Sequence, residues 1–384
     1  MKIITEADVE NKKVIVRVDF NVPRKDGRII DDNRIVSSLK TINYLVEKKA
    51  KVILLSHLGR VESIEDKENN SLKIVSEHLS SLVTAPVYFI NETRGDLLDA
   101  AVENLFPGEI LLVENTRYED FPKKLESSCD EALSKYWAGL ADIFVLDAFG
   151  TAHRCHASTY GISKYIPSYA GFLVSDEVKM LDKAIKENKT LLLGGAKVDD
   201  KIGVINNLIK SSDKVLIGGA MCFTFLKVKG FNVGKSIVSE ENIDFVKSLI
   251  EKYDKKIILP VDFVTESGVK KISDFSNKDT GFDIGPETIE LFNKNLESSN
   301  LVLWNGPLGK YEDKEYENGT KEVMTFLSKQ KFPTILAGGD ITGASSYFNI
   351  KMYYVSTGGG STLEYLEGKK FKTLERLNGI KWKR

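Results

Sequence analysis

The sequence predicts an α/β protein built as two parallel-sheet domains, and three observations carry that expectation. At 384 residues the chain exceeds what one hydrophobic core comfortably fills. Short runs rich in Val, Ile and Leu alternate with helical patterns, which is the layout of buried strands joined by crossover helices. The chemistry at the ends of those runs also changes near the middle of the chain, from arginine to glycine.

Composition limits the function classes. With 42% hydrophobic and 28% charged residues the chain is that of a soluble globular protein, and a net charge of -1 gives no overall attraction to nucleic acid. Any anion must be held by a local patch. Residues Met1 to Asp8 contain no apolar leader, and no apolar run reaches bilayer-spanning length, so a cytoplasmic protein without membrane or nucleic-acid partners is expected. Cys129, Cys155 and Cys222 are odd in number and lack metal-ligand spacing, which disfavours both a disulfide framework and a zinc site.

In the first half, four apolar runs end in polar residues. Val14 to Val18 leads to Asp19 and Asn21, Val52 to Leu55 to His57 and Arg60, Ile110 to Val113 to Arg117, and Ile143 to Asp147 to His153 and Arg154. If these strands are parallel, their C-terminal ends share one sheet edge, where α/β proteins place ligands. Arg34, near the start of a helix opening at Asp31-Asp32-Asn33, joins them. One arginine alone is more often a surface ion pair. Arginines at equivalent points of successive units are a better match to an anion, because the guanidinium fork grips carboxylate and phosphate bidentately. His57 is the histidine expected to touch a ligand; His78 reads as a helix-surface residue, and His153 and His156 as either ligand contacts or packed scaffolding.

Ser175 is expected to cap a helix running to about Lys186, with Val178, Met180, Leu181, Ala184 and Ile185 on its apolar face, and this helix is the candidate interdomain connector. Beyond it, Leu191 to Leu193 ends at Gly194-Gly195, followed by Lys197 and Lys201, which share a helical face if the helix has already begun. Further runs end at Gly218-Gly219, at Asn305-Gly306, at Gly338-Gly339-Asp340 and at Gly358-Gly359-Gly360. Glycine turns at strand ends, leading into helix N-termini, predict a row of backbone N–H donors suited to a polyphosphate. Asp340 is placed to touch a divalent cation carried by that polyphosphate, and equally to cap the following helix. Two motifs are set aside. Gly230 to Ser236 has one residue too few between its glycines for a phosphate-binding P-loop, leaving Lys235 as a surface residue, and the glycine pairs fail the dinucleotide fingerprint.

Six segments, read in order, resemble the phosphoglycerate kinase family: Arg17-Val-Asp-Phe-Asn-Val-Pro23, Leu55-Ser-His-Leu-Gly-Arg60, Asp147-Ala-Phe-Gly-Thr-Ala-His-Arg154, Gly194-Gly-Ala-Lys-Val-Asp-Asp-Lys201, Trp304-Asn-Gly-Pro-Leu-Gly309 and Ser356-Thr-Gly-Gly-Gly360. The resemblance implies two Rossmann-like domains facing across a cleft and joined by an interdomain helix. Residues 1–170, with a returning segment at about 372–384, would bind 3-phosphoglycerate, and residues 171–371 would bind nucleotide. It implies substrate contacts at Asp19, Asn21, Arg34, His57, Arg60, Arg117 and Arg154, and nucleotide contacts at Lys197, Lys201, Gly218, Gly219, Gly306, Glu312, Gly338, Gly339 and Asp340. Glu312 would meet the ribose, and Asp340 the Mg²⁺ that travels with ATP or ADP. The family further implies a monomer. Ile341 stands where the family commonly has Ser or Thr, Tyr311 where Phe is usual, and Leu146 where Asn is usual.

Such a reaction, between ATP and a carboxylate to give ADP and 1,3-bisphosphoglycerate, needs no general base, because the acceptor is already ionised at neutral pH. Catalysis would fall to positioning by domain closure and to charge stabilisation. Arg34 and Lys197 are assigned to the transferring group, Lys201 to the nucleotide phosphates, and the Gly338 and Gly359 regions to amide contacts. A non-catalytic sugar-phosphate sensor and a nicotinamide-dependent oxidoreductase are the rival classes, the second disfavoured by the missing fingerprint.

Overall fold

The structure, a computed structural model, describes residues 1–379. It divides into two compact units, Met1–Val178 together with the segment from Lys370 on, and Lys179–Lys369.

In the first unit six strands, β1 (Lys13–Val18), β2 (Lys51–Leu55), β3 (Val87–Ile90), β4 (Ile110–Val113), β5 (Ile143–Asp147) and β6 (Ser168–Ala170), form one sheet in the order β3-β4-β2-β1-β5-β6. Every pairing is parallel. Val14, Ile15, Val16 and Val18 are all fully buried, which is why β1 reads as an unbroken apolar run rather than an alternating one. Arg17 pairs with Leu55 on one side and Leu146 on the other, so the chain leaves these three strands at a common edge. The strand order turns back at β1, the point at which open α/β sheets accept ligands.

Helix Asn33–Glu47 covers part of this sheet through Ile35, Ile42 and Leu45. Its start is tied by Asp31, whose carboxylate accepts from Asn33 N at 2.8 Å. Asp32 makes no cap and instead meets Nε2 of His78, a helix-surface histidine, at 2.8 Å. The returning segment forms helix Lys372–Arg376, in which Thr373 donates to Ala152 O and Arg376 to Ser163 O. Residues 380–384 of the expected returning segment lie outside the described residues.

The connector helix begins at Phe172, not after Ser175, and runs to Lys186. Ser175 already sits inside it, its N–H bonded to Gly171 O. The cap comes from distant side chains: Thr41 Oγ1 accepts from Phe172 N at 2.9 Å, and Asp147 Oδ1 accepts from Leu173 N at 3.0 Å and Val174 N at 3.4 Å. At the other end the buried ammonium of Lys189 donates to Ile185 O, Glu187 O and Ser211 O, closing the C-terminal carbonyls with a cation. Val174, Leu181 and Ala184 are fully buried, whereas Met180 and Ile185 are half-buried.

The second unit repeats the architecture. Strands β7 (Lys189–Leu193), β8 (Ser212–Ile217), β9 (Ile257–Ile258), β10 (Val302–Asn305), β11 (Thr334–Leu336) and β12 (Tyr354–Val355) pair in parallel in the order β9-β8-β7-β10-β11-β12. Leu193 pairs with both Ile217 and Asn305, which aligns the three turns that follow. An antiparallel sheet of three short strands, centred on Asp262–Thr265, adjoins them.

Candidate active site

Each unit carries one group of the expected site residues, built in a different way. In the first unit Asp19, at the end of β1, is paired with Arg34 from helix Asn33–Glu47. Its other oxygen lies 3.8 Å from His57 Nδ1. Against the opposing effect of burial, the guanidinium groups of Arg34 and Arg17 hold the Asp19 carboxyl below the usual carboxylate range. Asn21 Oδ1 accepts from Gly59 N at 2.8 Å, which ties the loop after β1 to the one bearing His57 and Arg60.

Arg60, Arg117 and Arg154, from the ends of three different strands, line a single cavity of about 720 Å³ together with Lys124 and His156. Arg117 is held by Asp120 at 2.6 Å, and Arg154 donates to His153 Nε2 at 2.9 Å. His57 adds no positive charge to these arginines. Burial, reinforced by Arg17, Arg117 and Arg34 against Asp19, pushes His57 down to about 3, so the ring is neutral in the physiological range. Burial and Arg117 do the same to His156.

In the second unit the glycine turns fall into two kinds. A Cβ on Gly194 would lie 2.1 Å from Pro307 O, one on Gly219 2.5 Å from Gly195 N, and one on Gly306 2.3 Å from Gly194 O. These three turns are packed backbone against backbone. Their amides are used there: Gly195 N donates to Pro307 O, Gly218 N to Leu193 O and Gly219 N to Leu308 O. The expected row of free donors at Gly194-Gly195 and Gly218-Gly219 is therefore absent, because the N–H groups close the turns onto one another. By contrast nothing lies within 4 Å of a Cβ built on Gly339, Gly359 or Gly360. Helix Gly339–Tyr347 makes its first internal bond from Thr342 N to Gly338 O, so the amides of Gly339, Asp340 and Ile341 have no helical acceptor. The positive φ of Gly338 (101°) and Gly359 (54°) accounts for glycine at both helix starts.

Lys197 and Lys201 do not share a helical face. The helix begins only at Ile202, after a 3₁₀ turn at Asp199–Lys201, so Lys197 is exposed and Lys201 is 7% exposed. Burial lowers the Lys201 pKa, while Asp200 and Asp340 oppose that shift. A second cavity, about 480 Å³, is lined by Gly219, Phe223, Phe263, Leu308, Glu312 and Asp340, with Ile237 and Phe282 adding to an apolar wall. Ile341 is fully buried in the hydrophobic core, so a hydroxyl at that position would face inward rather than toward a ligand.

Sequence reasoning missed the apolar wall, the buried Arg17 and the buried Asp283, which accepts from Gly319 N and Ile284 N beneath the Leu308-Gly309 turn and is pushed up to about 7 by burial. Lys235 lies on an exposed turn, as expected of a motif outside the site. Among the described residues no group of three His, Cys, Asp or Glu side chains could cage a metal ion, and no helix is long and apolar enough to cross a membrane.

A family profile described as Phosphoglycerate kinase matches residues 4–369. The phosphoglycerate kinase of Fusobacterium nucleatum is 49% identical over 394 aligned positions, covering 98% of this chain and 99% of that one. That of Enterococcus faecalis is 48% identical over 393 positions, with the same coverage of 98% and 99%. The solved structure of phosphoglycerate kinase from Coxiella burnetii superposes with a TM-score of 0.86 at 35% identity, covering 98% of each chain. With the whole length matched in sequence and in fold, the chain belongs to the phosphoglycerate kinase family, enzymes that move a phosphoryl group between ATP and 3-phosphoglycerate.

Proposed function

We propose that the unit Met1–Val178 binds 3-phosphoglycerate, the unit Lys179–Lys369 binds Mg-ATP or Mg-ADP, and the named residues carry the transfer. The observation that most supports this is the convergence of Arg60, Arg117 and Arg154 from three strand ends on one cavity. Three guanidinium groups suit a phosphate, each able to donate two parallel hydrogen bonds. Asp19, Arg34 and His57 then form a second group for the carboxylate end, with Asn21 holding their loops together.

On the nucleotide side the apolar cavity suits an adenine ring and Glu312 at its rim a ribose. The open amides of Gly339 and Asp340, the Gly359 turn and the Lys201 ammonium supply donors for the phosphates. Gly218, Gly219 and Gly306 contribute by letting three turns close into the floor of that cavity, a role of shape and not of donation. Asp340 is the carboxylate for Mg²⁺; with no protein cage among the described residues, the ion fits as one delivered by the nucleotide, and it supplies neutralisation of phosphate charge when bound. Lys197, exposed and without a hydrogen bond or ion pair among the described residues, is free to follow the transferring group.

The acceptor carboxylate needs no base, so the chain's task is to align it with the γ-phosphate and to offset charge through Arg34, Lys197 and Lys201. Ligands held on separate units must be brought together for this, and scattering of the doubly liganded enzyme, with an unchanged radius of gyration during turnover, would refute closure. We take the enzyme to be a cytoplasmic monomer; light scattering that reports twice the chain mass would overturn the second term. The deciding assay is ATP-dependent acyl-phosphate formation from 3-phosphoglycerate with and without Mg²⁺. Product in the absence of 3-phosphoglycerate, or none in its presence, sinks the reading, and Asp340→Asn is expected to raise the Mg²⁺ concentration needed for half-maximal rate about tenfold.

A further inference from the structure

We infer that Arg17 is a positioning residue that fixes the tautomer of His57, holding the proton of the neutral ring on Nε2 as a constant donor to the acid substrate. The inference rests on the reading of His57 as a substrate contact and deepens it.

Arg17 lies inside β1 and is 1% exposed. Its Nε donates to Ser158 Oγ at 2.8 Å, one terminal nitrogen donates to Val18 O, and the other is 3.2 Å from His57 Nδ1. A guanidinium has five donors and no acceptor, so Nδ1 must present its lone pair. The proton of the neutral ring is then assigned to Nε2. Nε2 makes no hydrogen bond among the described residues and is not one of the buried orphan atoms, which leaves it as the ring edge open to a ligand.

The alternative, an imidazolium paired with Asp19, is poorly served. Asp19 Oδ1 is 3.8 Å from Nδ1, beyond hydrogen-bond reach, and the carboxylate is already engaged by Arg34. The charged groups facing the ring are Asp19 and Arg17 on and just after β1, Arg34 on helix Asn33–Glu47, and Arg117 after β4. Three cations oppose one carboxylate in a buried setting, and protonating Nδ1 would aim N–H at N–H. Glu126, buried and accepting from Ser158 N at 2.9 Å, supplies the counter-charge that lets Arg17 stay inside. A histidine left near its ordinary pKa would change charge across the physiological range, and substrate affinity would change with it; a locked donor avoids that.

Nitrogen-15 spectra of the ligand-free wild-type protein test the lock directly, with the His57 signals identified by their loss in His57→Gln. The expected result is an Nε2–H pattern constant from about pH 5 to about pH 8; an Nδ1–H pattern, or a midpoint near about 6.5, overturns the inference. Arg17→Met/Glu126→Gln removes the fork without leaving a buried lone carboxylate, and its His57 ring, still buried and neutral, is expected to show Nδ1–H alongside Nε2–H. Its KM for 3-phosphoglycerate should then rise about threefold while kcat stays level, because only the fraction of rings carrying Nε2–H can donate to the substrate. A ring that still shows Nε2–H alone sinks the lock itself, whereas a mixed-tautomer ring with an unchanged KM sinks the substrate contact of His57. Should the double variant not fold, the wild-type spectrum decides the question alone.

Discussion

Asp147 supports the start of the connector helix at a cost in stability that depends on pH. Its carboxyl is fully buried, Oδ1 accepts from Leu173 N and Val174 N, and Oδ2 has no partner among the described residues. Burial outweighs the bonds from Thr41, Val174 and Leu173 and pushes the group up to about 7. Between the ordinary aspartate value and about 7 the folded chain holds a proton that the unfolded chain has released, so the stabilising effect of this proton is complete below about pH 4 and lost as pH rises through about 7. At about 1.4 kcal/mol per pH unit, the loss between pH 5 and pH 8 is about 3 kcal/mol. Asp147→Asn keeps the acceptor for the two helix amides and cannot ionise. Urea unfolding of both proteins, followed by circular dichroism at several pH values, should therefore show the stability difference, Asn variant minus wild type, rising by about 3 kcal/mol from pH 5 to pH 8. At pH 5 the variant should be equal or slightly weaker, since its amide NH₂ has no acceptor. A difference that stays constant with pH would mean that Asp147 is ionised throughout, stabilised by the helix N-terminus, and the reasoning would fail.

The two kinds of glycine separate cleanly by substitution. Gly306→Ala places a Cβ 2.3 Å from Gly194 O at a φ of 84°, and should cost about 3 kcal/mol or more in stability; Gly339→Ala meets nothing and should stay within about 1 kcal/mol while weakening nucleotide binding. Thermal unfolding and nucleotide titration of the pair decide it, and equal destabilisation would refute the division. Arg34→Ala is expected to lower turnover about 100-fold or more with stability changed by about 1 kcal/mol, since its pair with Asp19 is half-exposed; wild-type rates would remove it from the mechanism. Lys201→Met should raise the KM for nucleotide about tenfold without loss of stability, because the stem stays packed near Gly195, whereas Lys197→Met should act on kcat; the reverse pattern in steady-state kinetics would overturn both assignments.

What could be read in advance followed from the strands. A parallel strand covered on both faces must be apolar throughout, so β1, β2, β4, β5 and β7 stand out as runs of Val, Ile and Leu. Because such strands share a direction, Arg60, Arg117 and Arg154 at their ends were bound to reach one edge, and they line one cavity. The start of the connector helix was not legible, because Ser175 is a plausible local cap and the true caps, Thr41 and Asp147, belong to other elements. Arg17 was hidden for a related reason: a charged residue within an apolar strand signals burial only when its partners, Ser158 and His57, are known. The apolar wall of the second unit's cavity escaped notice because Phe223, Ile237, Phe263, Phe282 and Leu308 come from separate segments, each of which reads locally as ordinary core.

The glycine turns show one residue type serving two opposite physical ends. Glycine after a strand is expected to expose amides, and at Gly339 and Gly359 the open space around the turn agrees with that. At Gly194, Gly219 and Gly306 the same residue type serves the opposite end, close approach of three backbones whose N–H and C=O groups satisfy each other. Sequence alone does not separate these cases, since both need a residue without a Cβ. The difference governs how each site responds to change. In the first unit the cavity is lined by long side chains from strand ends and loops, so an arginine can be removed while the sheet beneath it stands. In the second unit part of the cavity wall is the main chain of the sheet edge itself. A substitution at Gly194 or Gly306 must displace a neighbouring turn, so any change in the cavity there is inseparable from loss of fold.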